Sequence, residues 1–438
     1  MPDQPQASLK PSDEKVRRAF EKAIKAFGQR PNVTGIDIGY KYDGGVRTEQ
    51  VAVRVHVREK IPLAALEAAE VFPKEIDGVP IDVIEGIYTP GGAAPEPAGG
   101  AEPALEDLSF RRQRRDPIQP GISISNATGT AGTLGTIVYD RVTGGDCILS
   151  NWHVLAGSIF AQPGDAILQP GRFDGGRQDR DTVARLERMH LGRRGDAAIA
   201  LLNGQRNVLR VLRDTEVIVT EARRAQLGDG VAKSGRTTGV TRGVVDGFGL
   251  YNLPYSVGQR QIEGFLIRPE NRDNPLDQEI SAGGDSGSLW YDPASGAGLG
   301  LHMAGETQAG PANEYALACH LDAVLDELGV SLEPVAPGTP APSPTPDPTA
   351  PGPSAPGPSA PGPSDDGGGA PTLLDLLRNA GIGDEVLRRV PLAADQADLA
   401  ARGIRVLAGR DGPIEIEIDP QRAGGRIRIR IEDDRPER

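Results

Sequence analysis

Residues 281–290 read SAGGDSGSLW, a stretch that places Ser286 in a glycine-rich turn directly before an apolar strand. Glycines let the backbone turn tightly, so the N–H groups of Gly284 and Ser286 can converge on a single developing oxyanion. Taken alone, this pattern fits an ordinary surface turn equally well. A serine hydroxyl becomes a nucleophile only when a neutral histidine takes its proton and a buried carboxylate orients that histidine.

Two further stretches supply these partners. Residues 147–154 read CILSNWHV, so His153 follows an apolar strand that would deliver it to a cleft. Residues 195–202 read GDAAIALL, so Asp196 heads an apolar strand, where a carboxylate can be buried and aimed. Taken alone, Asp196 fits a helix or strand cap equally well, and a histidine in the position of His153 is more often a structural residue. Their order and spacing along the chain indicate a catalytic triad of His153, Asp196 and Ser286.

The segment around these residues has the texture of a β protein. From residue 118 to 332, short apolar or alternating runs are separated by turns that contain Gly, Asp or Asn, which is typical of a sandwich or barrel. The predicted strands are 134–140, 147–150, 197–202, 216–219, 263–268, 287–291 and 298–303. A predicted helix at 320–329 closes the segment.

At this point residues 118–332 resemble the chymotrypsin-like (trypsin-like) serine peptidases, in particular a bacterial branch similar to streptogrisins and glutamyl endopeptidases. The GDSG match and the His–Asp–Ser order carry the resemblance, and residues 233–239 (KSGRTTG) are similar to a hairpin of bacterial members. The resemblance implies two six-stranded antiparallel β-barrels and an acyl-enzyme formed on Ser286. It also implies an oxyanion hole at Gly284 and Ser286, and no metal or organic cofactor.

Two features depart from the family pattern. Trypsin-like zymogens pair a new amino terminus with the Asp before the serine, but here a whole domain precedes the barrel segment. Asp285 is therefore expected to find an internal partner or to be solvated. The family's disulfide beside the catalytic histidine is missing, because Val154 follows His153.

The resemblance also suggests where specificity resides. Residues just before the GDSG turn and on the following strand line the primary pocket in the family, which points to Ile280, Ser281 and His302 as substrate-binding residues. No acidic residue stands there, so cleavage after Lys or Arg is not expected. His302 lies in a segment similar to one in glutamyl endopeptidases and would read an acidic side chain. The alternative is a small apolar pocket in which His302 is an ordinary strand residue.

Composition limits the partners and the compartment. Residues 1–438 carry a net charge of −13, which argues against a general nucleic-acid binder. No apolar run is long enough to cross a bilayer, and no secretory signal is visible. Cys147 and Cys319 fit no metal-ligand spacing and are expected to be small buried residues. A soluble, cytoplasmic protein is therefore expected, with a protein or peptide as its substrate.

Residues 1–90 form a predicted α+β domain. Its expected elements are a helix at 13–28, strands at 33–40, 51–57 and 79–85, and a short helix near 62–70. His56 falls on the polar face of its alternating strand and is expected to contact solvent. Residues 91–117 form a linker to the barrel segment. The domain either assists or inhibits the peptidase, as pro-regions do in bacterial relatives, or merely packs on the barrel.

The carboxy-terminal part has two regions. Residues 333–371 form a Pro-rich linker with three tandem APGPS repeats, which favour polyproline II. Residues 372–438 form a small α+β module with helical turns at 372–379, 383–390 and 395–402, followed by a hairpin. The hairpin register pairs Glu415 with Arg430, Glu417 with Arg428 and Asp419 with Arg426. Such a tethered module suits the recruitment of a protein partner.

These observations favour a serine endopeptidase. The competing hypothesis is a binding or scaffold protein that keeps the barrel without turnover.

Overall fold

The computed structural model describes residues 10–44, 46–91, 108–270, 279–305 and 314–340, and the backbone of three strands between 404 and 431. The chain divides into two compact units, residues 1–350 and 351–438. The APGPS repeats, the helical turns predicted at 372–402 and the Asp419–Arg426 pair lie outside the described residues. No helix within the described ranges has the length and apolar composition needed to span a bilayer.

The first unit begins with a helix laid on strands. In order, its elements are α1 (Glu14–Phe27), β1 (Val33–Asp43), β2 (Val46–Val57), a 3₁₀ turn (Leu63–Ala65), β3 (Glu75–Ile76), β4 (Val79–Glu85) and β5 (Thr89–Pro90). The inner face of α1 buries Val16, Ala19, Ala23 and Phe27 against β1 and β2. The predicted helix and strands are confirmed here, but the helix expected near 62–70 is only the 3₁₀ turn.

An eight-stranded sheet follows. Its region contains a 3₁₀ turn (Leu108–Arg112), β6 (Ser123–Asn126), β7 (Gly132–Thr133), β8 (Thr136–Asp140), β9 (Asp146–Ser150), α2 (Trp152–Leu155), β10 (Ala166–Leu168), a 3₁₀ turn (Arg172–Asp174), α3 (Gln178–Asp181), β11 (Thr182–Gly192) and β12 (Gly195–Leu202). The strand order is β19-β8-β9-β12-β11-β10-β6-β7, where β19 (Val330–Ser331) returns from the end of the unit.

The remaining strands belong to a second, larger sheet. They are β13 (Gly230–Gly235), β14 (Gly239–Tyr255), β15 (Gly258–Pro269), β16 (Leu289–Tyr291), β17 (Gly298–Gly305) and β18 (Ala316–His320), followed by α4 (Leu321–Leu328). They pair in the order β13-β16-β17-β18-β15-β14, and β13 also pairs with β14, so six antiparallel strands return on themselves. The mainly β class is confirmed, whereas the layout of two six-stranded barrels with flanking domains stays a prediction. The strand expected at 216–219 does not form.

The amino-terminal strands continue this second sheet. Strand β1 pairs antiparallel with β14, from Gly35 opposite Tyr251 to Gly39 opposite Gly247. Strands β2, β4 and β3 then extend the sheet outward. Strands β1 to β4 of the first 90 residues and the strands of the barrel segment therefore belong to one hydrogen-bonded sheet.

A buried ion-pair network reinforces this junction. The Arg54 guanidinium donates from Nη2 to Asp37 Oδ2 (2.5 Å) and from Nη1 to Asp246 Oδ2 (2.7 Å), and all three side chains are fully buried. A Cβ at Gly39 or Gly247 would overlap the guanidinium, so this glycine pair makes room for it. Burial raises the pKa of Asp37, but the charges of Arg54 and His56 outweigh burial and hold it well below its usual range.

The expectation that His56 contacts solvent is wrong. The residue is fully buried, with Nε2 3.1 Å from Asp37 Oδ1 and Nδ1 2.5 Å from the hydroxyl of Tyr88. The alternating pattern of β2 reflects two buried faces, one apolar against α1 and one polar around the Arg54 network. The pattern therefore identified the strand but not its surroundings.

The second unit contributes a three-stranded antiparallel sheet, with β20 (Ile404–Leu407), β21 (Ile414–Ile418) and β22 (Ile427–Ile431). The backbone register places Glu415 opposite Arg430 and Glu417 opposite Arg428, which confirms the register read from the charges. The role of this module as a partner-binding element stays a prediction.

We predict that Arg54→Met lowers the free energy of unfolding by about 3–5 kcal/mol, because it leaves two buried carboxylates without their cation. Equilibrium urea unfolding of the full chain measures the change. The control is Arg18→Met, which removes an exposed helical ion pair with Glu14 and should cost less than about 1 kcal/mol. Equal losses in the two variants would contradict a stabilising role for the network.

Candidate active site

Strand pairing brings His153 to Asp196. Strands β9 and β12 are antiparallel with Ser150 opposite Ala198, so the end of β9 lies beside the start of β12. His153 follows β9 in the short helix α2, and Asp196 is the second residue of β12. The two local patterns seen in the sequence therefore meet at one end of the eight-stranded sheet.

Asp196 is fully buried and accepts three hydrogen bonds through its carboxylate. Its Oδ2 lies 2.5 Å from His153 Nδ1 and accepts from the Tyr255 hydroxyl at 2.9 Å, while its Oδ1 accepts from the His153 backbone N–H at 3.1 Å. Burial, and then the neighbouring Asp196 charge, raise the pKa of Tyr255 well above its usual value, so its hydroxyl stays a donor. The carboxylate thus fixes both the ring and the backbone of His153.

The turn that carries Ser286 is held against the other sheet by Thr133 of β7. The Thr133 N–H donates to the Ser286 carbonyl (2.8 Å), and its hydroxyl donates to the Gly284 carbonyl (2.9 Å). Gly284 has φ = +100°, a conformation that strongly favours glycine. Among the described residues, the N–H groups of Gly284 and Ser286 have no acceptor, and their role as an oxyanion hole stays a prediction.

Asp285, which was expected to have an internal partner or to be solvated, is fully buried and paired with Lys233. The Lys233 Nζ lies 3.1 Å from Asp285 Oδ2, and Thr238 Oγ1 donates to the same oxygen at 2.6 Å. Burial raises the pKa of Asp285, but Lys233 and these hydrogen bonds outweigh burial and lower it below its usual range. The Lys233 ammonium on β13 therefore anchors the turn that carries Ser286.

Ser286 and His153 contact the same oxygen atom, the carbonyl of Gly91. The Ser286 hydroxyl donates to this oxygen at 2.5 Å, and His153 Nε2 lies 3.2 Å from it. Gly91 directly follows β5, so it is the amino-terminal part of the chain that reaches the cleft. Ser286 and His153 are thus joined through the Gly91 carbonyl, and Asp196 holds the other side of the His153 ring.

The residues predicted to bind substrate are all buried. Ile280 packs in the apolar core with Trp290 and Phe265, so its role as a pocket residue stays a prediction. The Ser281 hydroxyl is buried and has no hydrogen-bond partner among the described residues. His302 Nδ1 accepts from Trp290 Nε1–H at 3.3 Å. Burial, and then the charge of Lys233, lower the pKa of His302 to about 3, so its neutral ring carries a proton on Nε2.

Sequence reasoning missed three contributors. Lys233 lies in the KSGRTTG stretch that resembles a hairpin of bacterial members. The available signal was a lysine flanked by the small residues Ala232 and Ser234. Tyr255 at the end of β14 and Gly91 beyond β5 gave no local signal, because each reaches the site through long-range packing. Within the described ranges, no cluster of three or more His, Cys, Asp or Glu side chains could hold a metal ion.

No protein-family model matches the chain, and no curated protein matches it. Solved structures of chymotrypsin-like serine proteases are similar to it at low identity. Thermobifida fusca protease A is 16% identical (49% of this chain, 97% of that chain, TM-score 0.36). A glutamic acid specific serine protease, described as using a novel histidine triad in substrate binding, is 18% identical (49% and 99%, TM-score 0.37). Cellulomonas bogoriensis chymotrypsin is 15% identical (50% and 100%, TM-score 0.35). These TM-scores are too low to assign a function to this chain, so the side-chain geometry of the site carries that weight.

We predict that Lys233 and Asp285 are strongly coupled in a double-mutant cycle. Lys233→Met and Asp285→Asn should each cost about 3–5 kcal/mol of unfolding free energy, because each leaves a buried group without its partner. The double variant should cost at least about 2 kcal/mol less than the two losses added together. The exposed pair Arg193–Glu263 serves as the matched control, with a coupling below about 1 kcal/mol. Additive losses at Lys233 and Asp285 would contradict the assigned pair.

We predict that His302 stays neutral from pH 8 down to pH 5. An unfolded chain binds a proton at histidine near the ordinary pKa of about 6.5, whereas folded His302 resists protonation to about 3. Acid between these values therefore favours unfolding. Proton–carbon NMR of the five histidines, with His302→Gln to assign the signal, measures this. A midpoint near 6.5 for His302 would contradict its burial as a neutral ring.

Proposed function

We propose that the chain is a serine endopeptidase that hydrolyses peptide bonds through an acyl-enzyme on Ser286. The observation that carries the proposal is the convergence of the Ser286 hydroxyl and His153 Nε2 on one oxygen, with His153 Nδ1 2.5 Å from a buried carboxylate. When the Gly91 carbonyl leaves this position, His153 Nε2 can accept the Ser286 hydroxyl proton, and a serine, an imidazole and a carboxylate in that relation activate an alcohol for acyl transfer.

Each residue has a distinct task in the proposed reaction. Asp196 accepts a hydrogen bond from His153 Nδ1–H and thereby leaves a basic Nε2 directed at the nucleophile. His153 takes the proton of Ser286 as the hydroxyl oxygen attacks the carbonyl carbon, and it then gives that proton to the leaving amine. The N–H groups of Gly284 and Ser286 stabilise the oxyanion. Water then hydrolyses the acyl-enzyme by the same route.

Tyr255 and Lys233 are proposed positioning residues. The Tyr255 hydroxyl donates a second hydrogen bond to Oδ2 of Asp196, which helps to fix that carboxylate in place. Lys233 balances Asp285 and so supports the turn from which the Gly284 and Ser286 N–H groups project. No new amino terminus is needed in this scheme.

For specificity, we propose that a neutral His302 offers an Nε2–H donor and that Ser281 offers a hydroxyl, which has no hydrogen-bond partner among the described residues. Two such donors suit a side chain with an acceptor oxygen, such as Glu or Gln. In this proposal, hydrogen bonds from neutral His302 and Ser281 would recognise an acidic residue before the cut, without an ion pair between a charged histidine and that residue. A small apolar residue before the cut remains the other specificity to test with a peptide panel.

We predict that a fluorophosphonate probe labels the native protein and that Ser286→Ala abolishes both labelling and hydrolysis of denatured casein. Asp196→Asn should lower turnover by about 10⁴-fold, because the histidine then adopts the wrong tautomer. Mass spectrometry of the labelled peptide locates the modified residue.

The matched control is Ser288→Ala, which removes a buried hydroxyl two residues away that has no hydrogen-bond partner in the described structure. It should label at the wild-type rate. Labelling that persists in Ser286→Ala contradicts the proposal. Absence of labelling and hydrolysis in the native protein and also in a variant that opens the Gly91 contact with Ser286 would favour the catalytically silent binding protein.

A further inference from the structure

The cleft of the proposed peptidase already contains a piece of its own chain. Strand β5 pairs antiparallel with the second half of β17, with Pro90 opposite Ala304 and Thr89 opposite Gly305. The Gly91 N–H continues the ladder toward the Met303 carbonyl at 3.4 Å. Addition of an extended strand beside another strand is a general way for a peptide to bind a protein. The segment thus binds to β17 as a separate peptide would.

The end of the segment blocks the chemistry. The Gly91 carbonyl oxygen takes the hydrogen bond of the Ser286 hydroxyl and also contacts His153 Nε2, so it stands where the nucleophile and the base must meet. The oxygen is directed at these groups and not at the N–H groups of Gly284 and Ser286, which have no acceptor in the described structure. The Gly91 carbonyl is therefore held in a position that does not favour attack.

We propose that residues 88–91, the plug segment, are a tethered inhibitor that occupies the substrate groove and keeps the enzyme off until the segment is displaced. This proposal rests on the proposed function. Substrate and plug segment compete for the same edge of β17, so activity depends on how often the plug segment leaves. Regulation in this form needs no cleavage, since the block is a reversible set of hydrogen bonds.

The plug segment is anchored by a buried side chain at its first residue and is held only through backbone atoms at its last. Tyr88 is buried, its hydroxyl lies 2.5 Å from His56 Nδ1, and its ring packs edge-on against Tyr251 and Tyr315 at 5.4 and 5.1 Å. Gly91, in contrast, has no side chain to bury. The segment can therefore swing out at Gly91 while Tyr88 keeps it close to the cleft.

Because the plug segment is tethered to the cleft, its few backbone contacts at Gly91 are enough to compete with substrate. A segment on a short connection competes at an effective concentration of about millimolar, so free peptides at lower concentration displace it poorly. The amino-terminal unit stays attached through the β1–β14 pairing and the Arg54 network. The inhibitor is thus a permanent part of the folded enzyme and is displaced without being lost.

The test compares fluorophosphonate labelling rates of the full-length wild type and Gly91→Pro. Proline cannot donate to the Met303 carbonyl, and its ring adds atoms where a Cβ would already stand 3.0 Å from Ser286 Oγ. Labelling and short-peptide hydrolysis should rise about tenfold or more. The matched control is Ile87→Ser, which alters a half-exposed side chain just before the plug segment and should keep the wild-type rate.

A second variant tests the proposal within one folded protein. Pro90→Cys combined with Ala304→Cys places two thiols directly opposite each other across the β5–β17 pair. The disulfide form should label at least about tenfold more slowly than the wild type, and reduction should restore labelling. Pro90→Cys alone, treated with the same reductant, controls for the reagent.

The outcomes separate this inference from the proposed function. Equal, measurable labelling of wild type and Gly91→Pro, together with equal labelling of the oxidised and reduced disulfide variant, overturns the inhibitory role alone. Absence of labelling in every variant, including Gly91→Pro, overturns the peptidase function and with it the inference. Faster labelling of Gly91→Pro and slower labelling of the oxidised variant support both.

Discussion

A carboxylate removed from water must be matched by donors or by a cation, and this constraint organises the first unit. Three buried aspartates each meet it with partners from distant parts of the chain. Asp37 forms an ion pair with Arg54, which also links the amino-terminal strands to β14. Asp196 is hydrogen-bonded to His153 and Tyr255, and Asp285 pairs with Lys233. Unmatched, each charge would be strongly destabilising in the interior. The pairs therefore join strands that lie far apart in the chain and meet at the cleft.

The same long-range pairing explains why the amino-terminal part is more than an attachment. Strand β14 spans 17 residues and pairs with β13, β15 and β1, so one strand belongs to both the barrel segment and its neighbour. After the outermost strand β3, the chain forms β4 and then β5, and β5 pairs with β17. The route of the backbone thus connects the outer sheet to the proposed catalytic residues within a few residues of chain.

Local patterns in the sequence predicted local features well. The strand ends at His153 and Asp196, the glycine-rich turn at Ser286 and the charge register of β21 and β22 each depend on neighbouring residues. Predictions of burial failed where a residue's environment depends on a second part of the chain that packs against it. The alternation in β2 suggested solvent at His56, but the polar face meets Asp37 and Tyr88 instead. The contribution of Gly91 could not be seen, because a glycine after a two-residue strand carries no pattern.

The shared strand has a consequence for any attempt to separate the two parts. Without the first 90 residues, backbone amides and carbonyls of β14 between Gly247 and Tyr251 would lose their partners in β1. Asp246 would lose its guanidinium at the same time. Open strand edges of this kind recruit other chains. An isolated barrel segment would thus tend to self-associate through β14, and insolubility of such a fragment would reflect the loss of β1 from the sheet, whether or not residues 1–90 assist folding.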